Sequence, residues 1–440
     1  MSTVFVLGAG ASIGAKSGGR TRFPGTNELV ERIREIVCER EDSHLPALAL
    51  YLARFAPVRD MTSSAGRLHA DWDRTNVEEL YAAIEFESRI TDHLMLASGD
   101  RGSGTQFFQE YFPEPYRDDV AQLLRGPYQD WMRACYSASY GSEAFPHLHE
   151  NFLRIVKMEL LDAIAHTLGV LSEEEDTSNV SRLARHFEQG DTVITFNYDL
   201  LVEQHLTRER PADWSYLTGY GLRPTSERCD LRFAGDAPNH PSTFRVPKLH
   251  GSSNWHFRFV QGTGDGPSGF VEGYRTVPEP IGVGNRIRDV HPAFFQATDN
   301  FFKRVVVEGE PGGYYERFMI PPSTYKAEYS FSAQFLHDPT GSPLPLGSST
   351  MWLPQLLYGL ALQALAAAER IVFIGFSMAP ADTSIRMLFR AAADANSALR
   401  LVEIADPDAN VASRIIAVLP RAQSHKRVRS FEELLDEWKV

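Results

Sequence analysis

An amide, a carboxylate and an imidazole stand directly after apolar runs in this chain. Asn197 and Asp199 follow Thr192-Val-Ile-Thr-Phe196, and His250 follows Val246-Pro-Lys-Leu249. The first two emerge at the edge where a parallel sheet binds ligands, and an imidazole titrating near neutrality can take a proton there. Gly251 leaves space for a ligand beside His250. Singly these are weak signals, since N-x-D often only caps a helix and most of fourteen histidines are packed or at the surface. Their weight comes from shared position. Gly8-Ala9-Gly10-Ala11-Ser12, Gly375-Phe376-Ser377 and Asp406-Pro407 also follow apolar runs. Ligands of open parallel sheets bind beyond the carboxyl ends of the strands, where strand order reverses. Five clusters of small or polar residues at strand ends form one constellation.

Gly8-Ala9-Gly10 lets backbone approach a diphosphate, and a helix starting there would offer amides and a favourable dipole. A dehydrogenase fingerprint is disfavoured, because Ile13 stands where the third glycine belongs and Gly14 comes one residue late. Gly10-Ala-Ser-Ile-Gly-Ala-Lys-Ser17 approaches a P-loop, but Ala15 replaces the glycine before its lysine. Gly375-Phe-Ser-Met-Ala379, then Asp406 and His425, follow the order of a serine hydrolase triad. There Ala379 replaces the second glycine, and the clusters at 8, 197 and 250 would have no use. Glu78 and Glu79 suit the start of a helix. His147-Leu-His149 with Glu150 lacks the spacing of two ligands on one helical face and reads as a loop, so no metal is assigned.

These residues must be carried by strands at Thr3–Leu7, Asp191–Phe196, Val246–Leu249, Ile371–Ile374 and Leu401–Ala405. Helical patterns cover 27–39, 76–91, 116–136, 148–168, 353–369, 381–394 and 408–418. Alternation of strands and helices predicts an α/β fold with a doubly wound, Rossmann-like parallel sheet. Residues 41–180 read as a large helical insertion packing as a lid, and 258–318, rich in Gly and Pro, as a loop-rich insertion. Residues 1–440 are then one discontinuous domain.

With 440 residues, 43% hydrophobic and 23% charged, the chain can bury a large core. A net charge of −13 opposes direct nucleic-acid binding, and the basic run Arg421–Arg429 reads as solvated surface. Cys38, Cys135 and Cys229 are too scattered for a disulfide framework or a zinc module. No basic n-region precedes the N-terminal apolar run, and the apolar stretch 353–368 is too short and too polar to span a bilayer, so a cytoplasmic location is expected.

The ordered set Gly8-Ala-Gly-Ala-Ser12, Thr195-Phe-Asn-Tyr-Asp199, Leu249-His-Gly-Ser252, Asn254-Trp255, Gly375-Phe-Ser377 and Asp382 resembles the sirtuin-like (silent information regulator two) family. It looks closest to the bacterial branch found in antiviral defence. The resemblance spans the sheet domain and neither insertion. It implies hydrolysis of NAD to nicotinamide and ADP-ribose, with no cofactor beyond NAD as substrate. By resemblance, Gly8, Ala9, Gly10 and Ser12 would contact the phosphates and the nicotinamide ribose. Asn197 would position water or ribose, Asp199 the nicotinamide end, and His250 would be base or ribose-hydroxyl acceptor. Gly375 and Ser377 would hold the diphosphate, and Asp406 the adenosine ribose. Deacylating members carry four zinc cysteines after the His-Gly motif, absent here, so protein deacylation is the lesser alternative. A sensor that binds NAD or ADP-ribose without cleavage is the other. Uncontrolled NAD cleavage would harm a cell, so gating by homo-oligomerisation or a protein partner is expected, in related systems a ring-shaped DNA-translocating ATPase.

Overall fold

The computed structural model describes residues 2–40, 45, 48–49, 51–52, 57–59, 68–70, 72–97, 148–216, 218–221, 232–234, 242–260, 268–272, 313–319, 352–379 and 382–439. Two compact units emerge: Met1–Leu29, Ile164–Glu279 and Gly313–Val440 form the first, and Val30–Ala163 with Pro280–Gly312 the second. In chain order the strands are β1 (Thr3–Leu7), β2 (Pro57–Arg59), β3 (Leu68–Ala70), β4 (Thr192–Thr195), β5 (Arg232–Ala234), β6 (Gly251–Val260), β7 (Ser268–Glu272), β8 (Gly313–Met319), β9 (Arg370–Ile374), β10 (Leu401–Ala405) and β11 (Ser424–Val428).

The first unit holds a parallel sheet in the order β11-β10-β9-β1-β4. Every residue of β1 is buried, as are the last four of β9 and of β10, which is why β1 and β9 read as near-continuous apolar runs rather than alternating ones, with buried Glu403 the exception in β10. Their register places the functional clusters at one rim. Leu7 lies opposite both Thr195 and Ile374, and Ile374 opposite Ala405, so Gly8, Phe196, Gly375 and Asp406 leave the sheet at the same level.

The run expected as a strand at Val246–Leu249 is only bridged to β4, at Thr192–Arg245 and Thr195–Lys248. Val193 N donates to Arg245 O, Thr195 N to Pro247 O, and Leu249 N to Thr195 O. Pro247 has no N–H with which to supply the bond between them, so the ladder is interrupted there. With this run counted as a strand, the sheet reads third, second, first, fourth, fifth, sixth in chain order. That is the doubly wound arrangement, with its reversal between β1 and β9.

β11 coincides with the basic run read as solvated surface. Ser424, His425, Lys426 and Arg427 are indeed exposed, but they form an edge strand paired with β10. A second sheet, β5-β7-β6-β8, reaches into the segment 258–318 read as loop-rich: the end of β6, β7 and most of β8 fall inside it. Short strands between Gly- and Pro-rich stretches are diluted below a recognisable pattern.

The second unit contains the β2–β3 hairpin, the helix Val77–Ala97 and most of the helix Leu148–Glu174. The latter begins at Leu148, where the helical pattern 148–168 begins, so Leu148–Glu150 is helix and not the loop also read there. The helix anticipated at 27–39 is an α-turn, Leu29–Ile33, followed by a π-helix, Arg34–Arg40. Arg34 pairs with Glu39 at 3.3 Å, across the five-residue spacing a π-turn brings into line. The helix expected at 116–136, Cys135 and Cys229 lie outside the described residues. No helix among the described residues is long and apolar enough to cross a membrane.

Candidate functional site

At the reversal point two glycine turns meet. Gly375 takes a positive φ of 56°, and a methyl there would lie 2.2 Å from the Gly10 carbonyl carbon. Methyls on Gly8 and Gly10 would come within 2.6 Å of Gly375 backbone atoms. Gly10 N donates to Gly375 O at 3.0 Å, Gly8 N to Ile374 O at 3.1 Å and Ala11 N to Gly8 O at 2.9 Å. The amides of Gly8 and Gly10, expected to approach a diphosphate, are therefore used within the protein, as is that of Ala11. The glycines allow backbone to pack on backbone where β1 and β9 end, with Ala9 exposed above them.

Asn197 sits two residues beyond β4, half-buried, its N–H donating to Thr195 Oγ1 at 3.1 Å. Its side-chain Nδ2 donates to Gly8 O at 3.0 Å and to Ser12 Oγ at 2.9 Å. The Gly8 carbonyl can only accept, which fixes the orientation of the amide. With both amide hydrogens engaged, the polar atom of Asn197 left to meet a further partner is Oδ1, an acceptor. Ser12 passes its own hydrogen to Asp199 Oδ2 at 2.6 Å, and Asp199 Oδ1 accepts from Leu201 N at 3.2 Å. Buried Asp199 thus anchors Ser12 and the next helix, Leu201–Glu209. Behind the trio, Leu7, Thr195, Leu201, Glu203 and Phe431 help line a small cavity.

His250 is 4% exposed. Its ring stands edge-on to Phe196, centroids 5.1 Å apart, and 6.3 Å from Tyr198, so both chain neighbours of Asn197 lie against the imidazole. Phe196 in turn stacks on Phe376 at 4.7 Å. One aromatic row therefore crosses the rim from the end of β9 to His250, excluding water on that side.

Beneath His250 lies a polar network that sequence reasoning missed. Lys248 Nζ donates to Asp199 O at 2.5 Å and to Glu203 Oε1 at 2.8 Å, and both side chains are 1% exposed. Tyr220 OH donates to the same Glu203 oxygen at 3.3 Å and accepts from Asn254 Nδ2 at 3.1 Å. Burial pushes the Glu203 carboxyl upward, opposed by the Lys248 ammonium, and pushes the Tyr220 phenol well above its ordinary value. The available signal was a lysine inside the apolar run Val246–Leu249.

Further along the rim, Ser377 is exposed and its carbonyl accepts from the Arg414 guanidinium at 2.9 Å. Met378, 2% exposed, holds a positive φ of 46°, an uncommon conformation for a residue with a side chain. Asp406, directly after β10, is 8% exposed and accepts from Asp408 N at 2.8 Å, and burial raises its pKa. The serine hydrolase reading fails on register. His425 pairs with Val402, four residues before Asp406 and so roughly 13 Å below it. Among the described residues no cluster of three or more His, Cys, Asp or Glu could hold a metal.

No protein-family profile matches the chain, and no curated protein matches it. Among solved structures, one described as "Structural Basis for the Mechanism and Regulation of Sir2 Enzymes" aligns with a TM-score of 0.27 and 14% identity. The alignment covers 62% of this chain and 75% of that one.

Proposed function

We propose that this chain is an NAD glycohydrolase, sirtuin-like in its motifs, that binds NAD across the rim of β1, β4 and β9 and releases nicotinamide. The observation that carries the reading is the Asn197–Ser12–Asp199 set beside the imidazole of His250, at the point where strand order reverses. Departure of nicotinamide breaks the bond between its ring nitrogen and ribose C1′. The electron pair stays on nitrogen, neutralising the pyridinium, and positive charge develops on the sugar. The acceptor Oδ1 of Asn197 suits that charge and can orient a water on C1′. Water adds, and His250 takes its proton, giving ADP-ribose. Asp199 holds Ser12 and the Asn197 turn rather than touching the reacting carbon. Gly8, Ala9, Gly10, Gly375 and Ser377 border the diphosphate, and Asp406 borders the adenosine ribose.

In the cell this activity would deplete NAD as an effector of antiphage defence. It would be gated by self-assembly or by a protein partner such as a ring-shaped DNA-translocating ATPase. The test is incubation of the purified chain with NAD, with and without an acetyl-lysine peptide, and chromatography of the products. Nicotinamide and ADP-ribose without peptide are expected. Nicotinamide release that requires the peptide would support the deacylase instead, and NAD binding without products would support a sensor.

A further inference from the structure

We infer that the buried Lys248–Glu203 ion pair is a positioning device that sets His250 against the Asn197 turn, an inference that rests on the glycohydrolase reading. Enclosing both charges completely is costly, and an apolar pair of similar volume is often as stable or more so. What the pair contributes is geometry. Lys248 lies two residues before His250. Asn254 lies four residues after it and reaches the same Glu203 oxygen through Tyr220. Both flanks of the imidazole are thus tied to one carboxylate oxygen. The Lys248 ammonium also holds the carbonyl of Asp199, two residues beyond Asn197. Pro247 interrupts the backbone ladder at this place, leaving single bonds such as Leu249 N to Thr195 O and Ser253 N to Tyr198 O, and the side chains add to the registration that a full strand would give. Neither charged group is exposed enough to meet substrate, which makes them positioning residues.

Steady-state NAD hydrolysis by the full chain tests this, comparing wild type, Lys248→Met, Glu203→Gln and the double variant Lys248→Met/Glu203→Leu. Each single change strands a buried polar partner and is expected to lower the melting temperature. The double change removes both charges and should keep a cooperative melt. In that folded double variant, kcat should fall about a hundredfold through misplacement of the imidazole, with KM for NAD unchanged. A folded double variant with wild-type kcat overturns the inference while leaving the glycohydrolase reading intact. No nicotinamide release by wild type overturns that reading and the inference with it. If the double variant does not fold, Tyr220→Phe decides. It deletes one hydroxyl from the far flank, and reduced kcat at constant KM supports the inference, whereas full kcat overturns it.

Discussion

The side-chain amide of Asn197 donates to the hydroxyl of Ser12 at 2.9 Å, joining the turn after β4 to the turn after β1. Ser12 hands the polarity on to Asp199, so the direction of the amide is set by three consecutive hydrogen bonds before any ligand arrives. Such preorganisation lets an acceptor stabilise developing charge without first having to turn.

Asn197→Asp tests that direction with nearly no change of shape. A carboxylate cannot donate to the Gly8 carbonyl and would be repelled by it. Nicotinamide release should fall by about two to four orders of magnitude, and the melt should shift by about 1–3 kcal/mol of lost stability. His250→Ala should match it in activity. Chromatographic assay with circular dichroism on the same samples separates the effects, and full turnover by either variant removes these residues from the mechanism.

Gly375→Ala should be among the most damaging small substitutions. Its methyl would overlap Gly10 backbone, and the positive φ adds strain of about 1–3 kcal/mol even without the overlap. Insoluble protein, or a melting temperature well below wild type, is expected from thermal unfolding. A wild-type melt would mean that the two turns do not touch.

His205 predicts a pH effect on stability. Burial, then the charge of Arg208, pulls its pKa down from 6.5 to about 4, opposed by Glu209, while Nε2 meets Thr177 Oγ1 at 2.8 Å. The unfolded chain therefore binds a proton more readily than the folded one between pH 6.5 and 4. Stability should fall as pH drops through that window, by about 3 kcal/mol from this group. Urea titrations at several pH values should show a shallower slope in His205→Gln, and an unchanged slope would remove His205 as the source.

His425→Ala, on the exposed edge strand, should leave nicotinamide release within about twofold of wild type. A fluorophosphonate probe should fail to label Ser377. Labelling that depends on His425 would restore the hydrolase triad which register excludes.

The central strands were legible because both faces of a parallel sheet are buried and their sequences stay apolar without alternation, as Val4-Phe-Val-Leu7 and Ile371-Val-Phe-Ile374 do. The rim followed from what comes next in the chain, and Asn197, Ser12 and Asp199 do converge there. The role of the glycines was harder to see, because close approach to a ligand and close approach to another turn ask for the same residue. Lys248 and Glu203 were invisible as a pair: they are 45 residues apart, and neither type signals burial by itself. The short helix Leu201–Glu209 and β11 fell below the length at which periodicity speaks, and β11 is polar because it lies at the edge.

The interruption at Pro247 makes the crevice unequal on its two sides. One wall grows from strands whose amides are locked in an unbroken ladder. The other, carrying His250, is held by two bridges to β4, by single backbone bonds such as Ser253 N to Tyr198 O, and by a set of side chains. In deuterium exchange, amides of β1 and β4 should open only with global unfolding, while those around 246–252 should exchange through a smaller excursion. Adjustment to an incoming dinucleotide would then fall on the imidazole, with the amide as the fixed reference.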